Sequence, residues 1–165
     1  TGVLLNNEMD DFALRPGTPN AFGVMGYEAN APAPGKRMLS SMTPTFMESP
    51  DRVTVLGTPG GARIFASIAQ IISRVIDHKM PLHDAISVPK IWNNGPANNF
   101  QYETPLKGYE EYAITEETVA KLTEMGHDKI GTAASGAVQA IEFLDDGTLY
   151  GTADPRQDGK AVGVE

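Results

Sequence analysis

The segment RVTVLG at residues 52–57 alternates apolar and polar positions and is rich in β-branched side chains, which predicts a β-strand. Directly after it, residues 62–79 carry apolar side chains at helical spacing, which predicts a helix with one buried face. The apolar positions of that face are Ile64, Ile68, Ile71, Ile72, Val75 and Ile76. The chain therefore contains a strand that passes through a short turn into a long amphipathic helix.

The remaining pattern alternates between short strands and helices. Strands are predicted over residues 2–6, 43–47, 99–103, 137–144 and 148–152. Helices are predicted over residues 82–88 and from an N-cap at Thr115 to Met125. Residues 13–37 are rich in Gly, Pro, Asn and Ala and predict a long loop, which inside a domain is usually functional. This mixed order indicates the α+β class, in one domain over residues 1–165.

Composition narrows the classes of function. With 41% hydrophobic and 21% charged residues, the 165-residue chain is typical of soluble globular proteins. A net charge of −8 with scattered Lys and Arg argues against a nucleic-acid partner. The absence of Cys excludes disulfides, thiolate nucleophiles and Cys-based metal sites. No apolar run approaches the roughly 18 residues that a membrane span needs.

Three carboxylates crowd into the opening stretch LLNNEMDDF, at Glu8, Asp10 and Asp11. Because like charges repel, these carboxylates must be either screened by solvent or neutralised by a cation. A calcium site is one interpretation, although the spacing lacks the Gly and Glu positions of an EF-hand loop. A pocket for a substrate ammonium, which would make charge-assisted hydrogen bonds, is the second. A solvated acidic turn is the third, and the residues alone leave all three open.

The corner between strand and helix, VTVLGTPGGARIF, is a candidate anion site at Gly60 and Gly61. The first turn of a helix has unpaired N–H groups and a positive dipole end, and glycines let a ligand approach that backbone closely. Such a corner can bind an oxyanion that develops during acyl transfer. A tight turn with glycines for packing alone is the alternative. The G-K-[ST] ending of a phosphate loop is missing.

Two adjacent hydroxyls lie in GKRMLSSMTP, at Ser40 and Ser41. Paired hydroxyls can hold a carboxylate by hydrogen bonds. Neither serine has the G-x-S-x-G setting of a nucleophile. The alternative is a pair of turn or cap serines.

In this order and spacing, LLNNEMDDF, GKRMLSSMTPT and LGTPGGARI resemble the small subunit of the gamma-glutamyltranspeptidase family, and GTLYGTADPR resembles its end. The resemblance covers essentially the whole chain and implies the αββα sandwich of N-terminal nucleophile hydrolases, of which this chain would be the C-terminal portion. Such precursors cut themselves into a large and a small subunit. The new N-terminal Thr then attacks the γ-glutamyl amide of glutathione or a related compound, and the acyl-enzyme passes to water or to an acceptor. No cofactor and no metal is expected.

The resemblance also implies roles for individual residues. Glu8 and Asp11 match the positions that hold the α-amino group of the γ-glutamyl moiety. Ser40–Ser41 match the pair that receives its α-carboxylate. Gly60–Gly61 match the backbone donors of the oxyanion hole, and Asn7 is expected to shape the pocket.

One departure from the family pattern concerns the nucleophile. In the family the nucleophilic Thr stands well upstream of LLNNEMDDF, and this chain lacks that segment. Thr1 has a free amine that could act as a base, but the residues after it match the interior of the pattern. We therefore expect Thr1 not to be the nucleophile and the sequence to begin in mid-domain. The large subunit is the expected partner, and it would supply an arginine for the α-carboxylate.

Other functions remain open at this stage. A cephalosporin (glutaryl) acylase or a poly-γ-glutamate-processing relative would keep the fold and change the substrate. A glutaryl substrate has no ammonium and would not need Glu8 and Asp11. A non-catalytic module that binds glutamate-like ligands is a further alternative. By resemblance the protein is periplasmic or secreted, with the cytoplasm left open.

Overall fold

The computed structural model describes residues 2–3, 5–21, 23–93, 99–133 and 136–163. The chain divides into two compact units, Thr1–Met42 and Thr43–Glu165. Within the described ranges, no helix has the length and apolar character to cross a membrane.

The first unit is mostly irregular, as predicted for the loop over residues 13–37. It contains two short 3-10 helices, Glu8–Asp11 and Glu28–Asn30, and a single β-bridge between Pro19 and Met25. The strand predicted over residues 2–6 is wrong, since its described members 2, 3, 5 and 6 belong to no strand. A strand needs a hydrogen-bonded neighbour, and the described part of this unit offers no ladder to join.

The second unit contains a four-stranded antiparallel sheet in the order β1-β2-β6-β7. Its strands are β1 Thr45–Ser49, β2 Arg52–Gly57, β6 Gln139–Leu144 and β7 Leu149–Ala153. The prediction for β2 is confirmed at both ends, and the β6–β7 hairpin is confirmed with β6 starting two residues later than expected. β1 lies two residues further along than predicted, because the turn to β2 occupies only residues 50 and 51.

Helices pack on one face of this sheet and enclose the core. Helix α1, Ile64–Ile76, begins two residues later than predicted because a 3-10 turn, Gly61–Arg63, precedes it, and it ends three residues earlier than predicted. Helix α2, Leu82–Ser87, ends one residue before the predicted boundary. The buried apolar residues shared by the sheet and helices are Leu56, Ile64, Ile68, Ile71, Leu82, Ala85, Ile86 and Val138. Burial of apolar surface between sheet and helices is the main stabilising contribution here.

A smaller sheet in the order β3-β4-β5 completes the described elements. It consists of β3 Ile91–Asn93, β4 Asn99–Tyr102 and β5 Lys129–Thr132, with β4 and β5 parallel. A parallel pair requires a crossover connection, and helix α3, Glu116–Glu124, lies in it. Thr115 caps this helix as predicted by accepting a hydrogen bond from the Thr118 N–H. Strands β3 and β5 are too short to produce a readable sequence pattern, and neither was predicted.

Candidate functional site

The acidic stretch folds as the 3-10 helix Glu8–Asp11, with Asn7 exposed at its N-cap position. Asp10 makes hydrogen bonds to the loop that follows it. Its Oδ2 accepts from the Ala21 N–H at 3.3 Å, and its carbonyl oxygen accepts from Asn20 Nδ2 at 3.2 Å. The carboxylate of Asp10 therefore has a structural partner.

Glu8 and Asp11 differ from Asp10 in their surroundings. A 3-10 helix has three residues per turn, so side chains three positions apart lie on the same side. Both are half-buried, and among the described residues no hydrogen bond or ion pair engages either carboxylate. No group of three or more His, Asp or Glu side chains in the described ranges could hold a metal ion. Two like charges on one side of a short helix provide an arrangement that a ligand cation would stabilise.

Asn30 connects this acidic turn to the segment that leads into the serine pair. Its Nδ2 donates to the Asp11 carbonyl oxygen at 2.7 Å, and its Oδ1 accepts from the Leu39 N–H at 2.9 Å. One amide side chain thus uses a donor and an acceptor to join two distant stretches of the first unit. Sequence reasoning missed Asn30, because a single Asn in a Gly- and Pro-rich loop has no distinctive pattern.

The serine pair follows directly. Ser40 is exposed, and its Oγ accepts from the Met42 N–H at 3.2 Å, while Ser41 is half-buried. A hydroxyl that accepts a hydrogen bond keeps its own O–H as a donor. Ser40 can therefore still donate to an anionic ligand, as the sequence interpretation requires.

The glycine corner adopts a backbone that favours glycine. Gly60 has φ +142° and Gly61 has φ +56°, both in the region that side-chain-bearing residues rarely occupy. The Arg63 N–H donates to the Gly60 carbonyl oxygen at 3.1 Å and closes the turn before α1. Within the described ranges, neither the Gly60 N–H nor the Gly61 N–H donates a hydrogen bond. The corner therefore presents two backbone donors at the start of a helix.

Gly136 lies close to this corner, and it was not predicted from the sequence as a site residue. A Cβ at Gly136 would collide with the carbonyl oxygen of Pro59 and with Oγ1 of Thr58. Only a glycine lets the chain before β6 pass this close to the corner. Isolated glycines are common in connections, so the sequence offered no reason to select this one.

A mostly apolar groove borders the corner. Its volume is about 560 Å³, and its lining includes Pro44, Val55, Thr58, Pro59 and Ile141. The groove runs along β2 and β6 and reaches the residue before Gly60. The groove therefore ends at the residue that precedes the two glycines, and neither glycine lines it.

The predicted site residues fall into both units. The carboxylates Glu8 and Asp11, with Asn7 and Ser40–Ser41, belong to the first unit, and Gly60–Gly61 belong to the second. Within the first unit the structure brings the acidic turn next to the serine segment through Asn30. Thr1 lies outside the described residues.

Comparisons with known proteins give a consistent family. The profile of the gamma-glutamyltranspeptidase family matches residues 1–164. The glutathione hydrolase proenzyme of Pseudomonas aeruginosa is 41% identical over 99% of the chain, which spans 28% of that protein's length. The acylase ACY 1 proenzyme of Pseudomonas sp. (strain SE83) is 35% identical over 99% of the chain and 26% of its own length. The structure of gamma-glutamyltranspeptidase from Pseudomonas nitroreducens complexed with L-DON superposes with a TM-score of 0.80, at 40% identity, covering 99% of this chain and 83% of that one.

Proposed function

Because the chain belongs to the gamma-glutamyltranspeptidase family and has its N-terminal nucleophile hydrolase fold, we propose that it is part of a γ-glutamyl transferase or hydrolase. The enzyme cleaves the γ-glutamyl amide of glutathione and related compounds through an acyl-enzyme. The observation that carries this proposal is the pair Glu8 and Asp11, on one side of a 3-10 helix with no cationic partner among the described residues.

The head group of a γ-glutamyl substrate is a zwitterion, and each end has a matching group. Its ammonium is held by the carboxylates of Glu8 and Asp11, whose repulsion it relieves. Its carboxylate accepts hydrogen bonds from the hydroxyls of Ser40 and Ser41. Asn7, exposed at the start of the acidic turn, shapes the pocket on the ammonium side.

In this proposal, the glycine corner donates hydrogen bonds to the oxygen of the reacting carbonyl. When a nucleophile attacks the γ-amide, negative charge develops on the carbonyl oxygen. The N–H groups of Gly60 and Gly61, which have no other acceptor among the described residues, stabilise that charge. Removing one such donor typically lowers kcat by about 10²–10³-fold.

The nucleophile and the partner lie outside this chain in our proposal. The chain spans 28% of the Pseudomonas aeruginosa proenzyme, so the upstream segment with the attacking Thr and the large subunit complete the enzyme. The two subunits arise from one precursor by autoprocessing and form a heterodimer. We place the enzyme in the periplasm or outside the cell, as the resemblance implies, and cell fractionation tests this.

The direct test is cleavage of γ-glutamyl-p-nitroanilide by the protein with its upstream segment and large subunit present. We expect cleavage with an acyl-enzyme burst. Gly61→Ala should lower kcat, because a Cβ at φ +56° strains the backbone that aims the two N–H groups, although the N–H itself remains. Asp10→Asn is a matched control for Asp11→Asn, because Asn can still accept from the Ala21 N–H. Absence of cleavage, or an Asp11→Asn variant no weaker than Asp10→Asn, would contradict the proposal.

An acylase is the second candidate, favoured by the 35% identity to the acylase ACY 1 proenzyme, and a glutaryl amide is the substrate that we would test for it. A glutaryl side chain lacks the ammonium, so Glu8 and Asp11 would then face no counter-charge. Comparing γ-glutamyl and glutaryl amides separates the two activities. Saturable glutamate binding with neither cleavage would instead favour a binding module.

A further inference from the structure

The glycine corner is followed by a cation whose contacts reach the smaller sheet. Arg63 is the last residue of the 3-10 turn that begins at Gly61, and its Nη2 donates to Oε1 of Gln101 at 2.8 Å. The central carbon of its guanidinium, Cζ, lies 4.8 Å from the centroid of the Trp92 ring, within cation–π range. The side chain of Arg63 thus leaves the corner and is held on another element.

Gln101 is the centre of these contacts. The same Oε1 also accepts from the indole Nε1–H of Trp92 at 2.8 Å. Trp92 and Gln101 are directly opposed residues on β3 and β4, and Trp92 is only 5% exposed. One amide oxygen therefore joins a buried indole and a guanidinium, and we call Arg63, Trp92 and Gln101 the Arg63 clamp.

The corner needs such an anchor because its own backbone is permissive. Gly60 and Gly61 both have positive φ, and glycine populates many backbone conformations at little cost. Local preference alone does not fix the direction in which their N–H groups point. After Arg63 the chain enters α1, whose first residue Ile64 is only 6% exposed, so the C-terminal side of the corner is held by core packing as well as by Arg63.

We propose that Arg63 is a positioning residue for catalysis, and that Gln101 and Trp92 hold it so that the Gly60 and Gly61 amides stay aimed at the developing oxyanion. The inference rests on the proposed function, which gives those amides their role. No proton and no covalent bond passes through the clamp. Its effect is geometric, and a displacement of about 1 Å at such donors can cost up to 10²-fold in rate.

Paired substitutions at Gln101 isolate the acceptor. Gln101→Leu removes the shared oxygen at similar volume, whereas Gln101→Glu keeps an oxygen that accepts from both Arg63 and Trp92. In the complete enzyme, we expect Gln101→Leu and Arg63→Met to lower kcat per active site by about tenfold, with KM within about twofold. Gln101→Glu should retain at least half of the wild-type kcat. Active sites are counted from the first-turnover burst with γ-glutamyl-p-nitroanilide.

A purely structural role predicts a different result. It would lower the melting temperature and the number of active sites, leave kcat per active site unchanged, and give no selective rescue by Glu. Lys121→Met, which removes an exposed cation far from the clamp in sequence, is the control and should match wild type. If Gln101→Leu and Arg63→Met keep the wild-type kcat while Gly61→Ala is impaired, the positioning role of the Arg63 clamp is wrong. The proposed function then still stands. If the wild-type enzyme does not cleave the substrate, the proposed function fails and the clamp inference fails with it.

Discussion

The ammonium Nζ of Lys90 lies 3.0 Å from Oε2 of Glu103, and neither side chain is more than 1% exposed. Asp154 Oδ2 lies 3.5 Å from the same Nζ, without hydrogen-bond geometry, and Arg156 Nη2 lies 3.3 Å from Glu103. The four residues carry two positive and two negative charges. Burial lowers the pKa of Lys90, although Glu103 opposes that shift. This cluster links the end of β7 to the ends of β3 and β4, and thus joins the two sheets.

Glu103→Gln tests the cluster. Removing one partner leaves excess buried positive charge, which we expect to lower the free energy of unfolding by about 3–5 kcal/mol. Urea unfolding of the complete protein measures this. The control is Glu117→Gln, whose pair with Lys121 is highly exposed and should contribute less than about 1 kcal/mol. Equal effects from the two substitutions would contradict a structural role for the cluster.

The hydrogen bonds of Asp51 predict that the stability of the protein falls at low pH. The Asp51 carboxylate accepts hydrogen bonds from the Arg52 guanidinium and the Ser49 hydroxyl. Both bonds lower the pKa of Asp51, the Arg52 bond more strongly, from 3.8 to about 2. Because the folded-state pKa is depressed, its stabilising contribution is complete above pH 3.8 and is lost as pH falls through about 2. Asp51→Asn should flatten the melting-temperature profile in that window.

Salt provides the control for Asp51. The residue is exposed, so high salt should screen its interaction with Arg52 and reduce the difference between wild type and Asp51→Asn. Melting profiles with identical slopes for both proteins at low salt would contradict the assignment.

Asn30 predicts a defect in substrate binding. Asn30→Ala removes both the bond to the Asp11 carbonyl and the bond from the Leu39 N–H. Loss of about 0.5–1 kcal/mol per bond, or about 1–2 kcal/mol for both, corresponds to roughly a 5- to 30-fold rise in KM, with kcat within about twofold because binding is affected uniformly. Asn30→Asp keeps the acceptor for Leu39 and should be intermediate. A KM unchanged in a folded Asn30→Ala enzyme would contradict the link between acidic turn and serine pair.

Gly136 predicts a steric effect at the corner. Gly136→Ala places a methyl group against Thr58 and Pro59, and this overpacking should cost about 1–3 kcal/mol of stability and reduce kcat. Gly131→Ala is the matched control, since a Cβ there meets no atom within 4 Å. Thermal unfolding and steady-state kinetics compare the two. Equal stability and activity in both variants would show that the corner tolerates movement.

Elements with long local patterns could be predicted from the sequence. Strand β2, with its unbroken alternation, and helix α2, stopped by a proline, match their predicted bounds within one residue. Strands β3 and β5 could not be predicted, because three or four residues form a strand only through pairing with β4. The prediction of a strand over residues 2–6 was wrong because an apolar pattern does not by itself supply a neighbouring strand with which to pair.

The same distinction applies to the candidate site. Glu8 and Asp11 lie within one short motif and Gly60–Gly61 within another, so both could be selected from the sequence, although their roles stay predictions. Asn30 and Gln101 act through contacts with residues that are distant in sequence. Their positions become visible only when the hydrogen bonds of the folded chain are known.

The most direct measurement compares two substrates that differ only in the α-ammonium: γ-glutamyl-p-nitroanilide and its glutaryl analogue. In the wild-type enzyme we expect kcat/KM to favour the γ-glutamyl compound by at least about 10²-fold, as for charge-assisted hydrogen bonds of roughly 1.5–3 kcal/mol each. Asp11→Asn should reduce that ratio by about tenfold or more, chiefly through weaker γ-glutamyl cleavage. A ratio that is the same in wild type and Asp11→Asn would contradict the assignment of the acidic pair to the substrate ammonium.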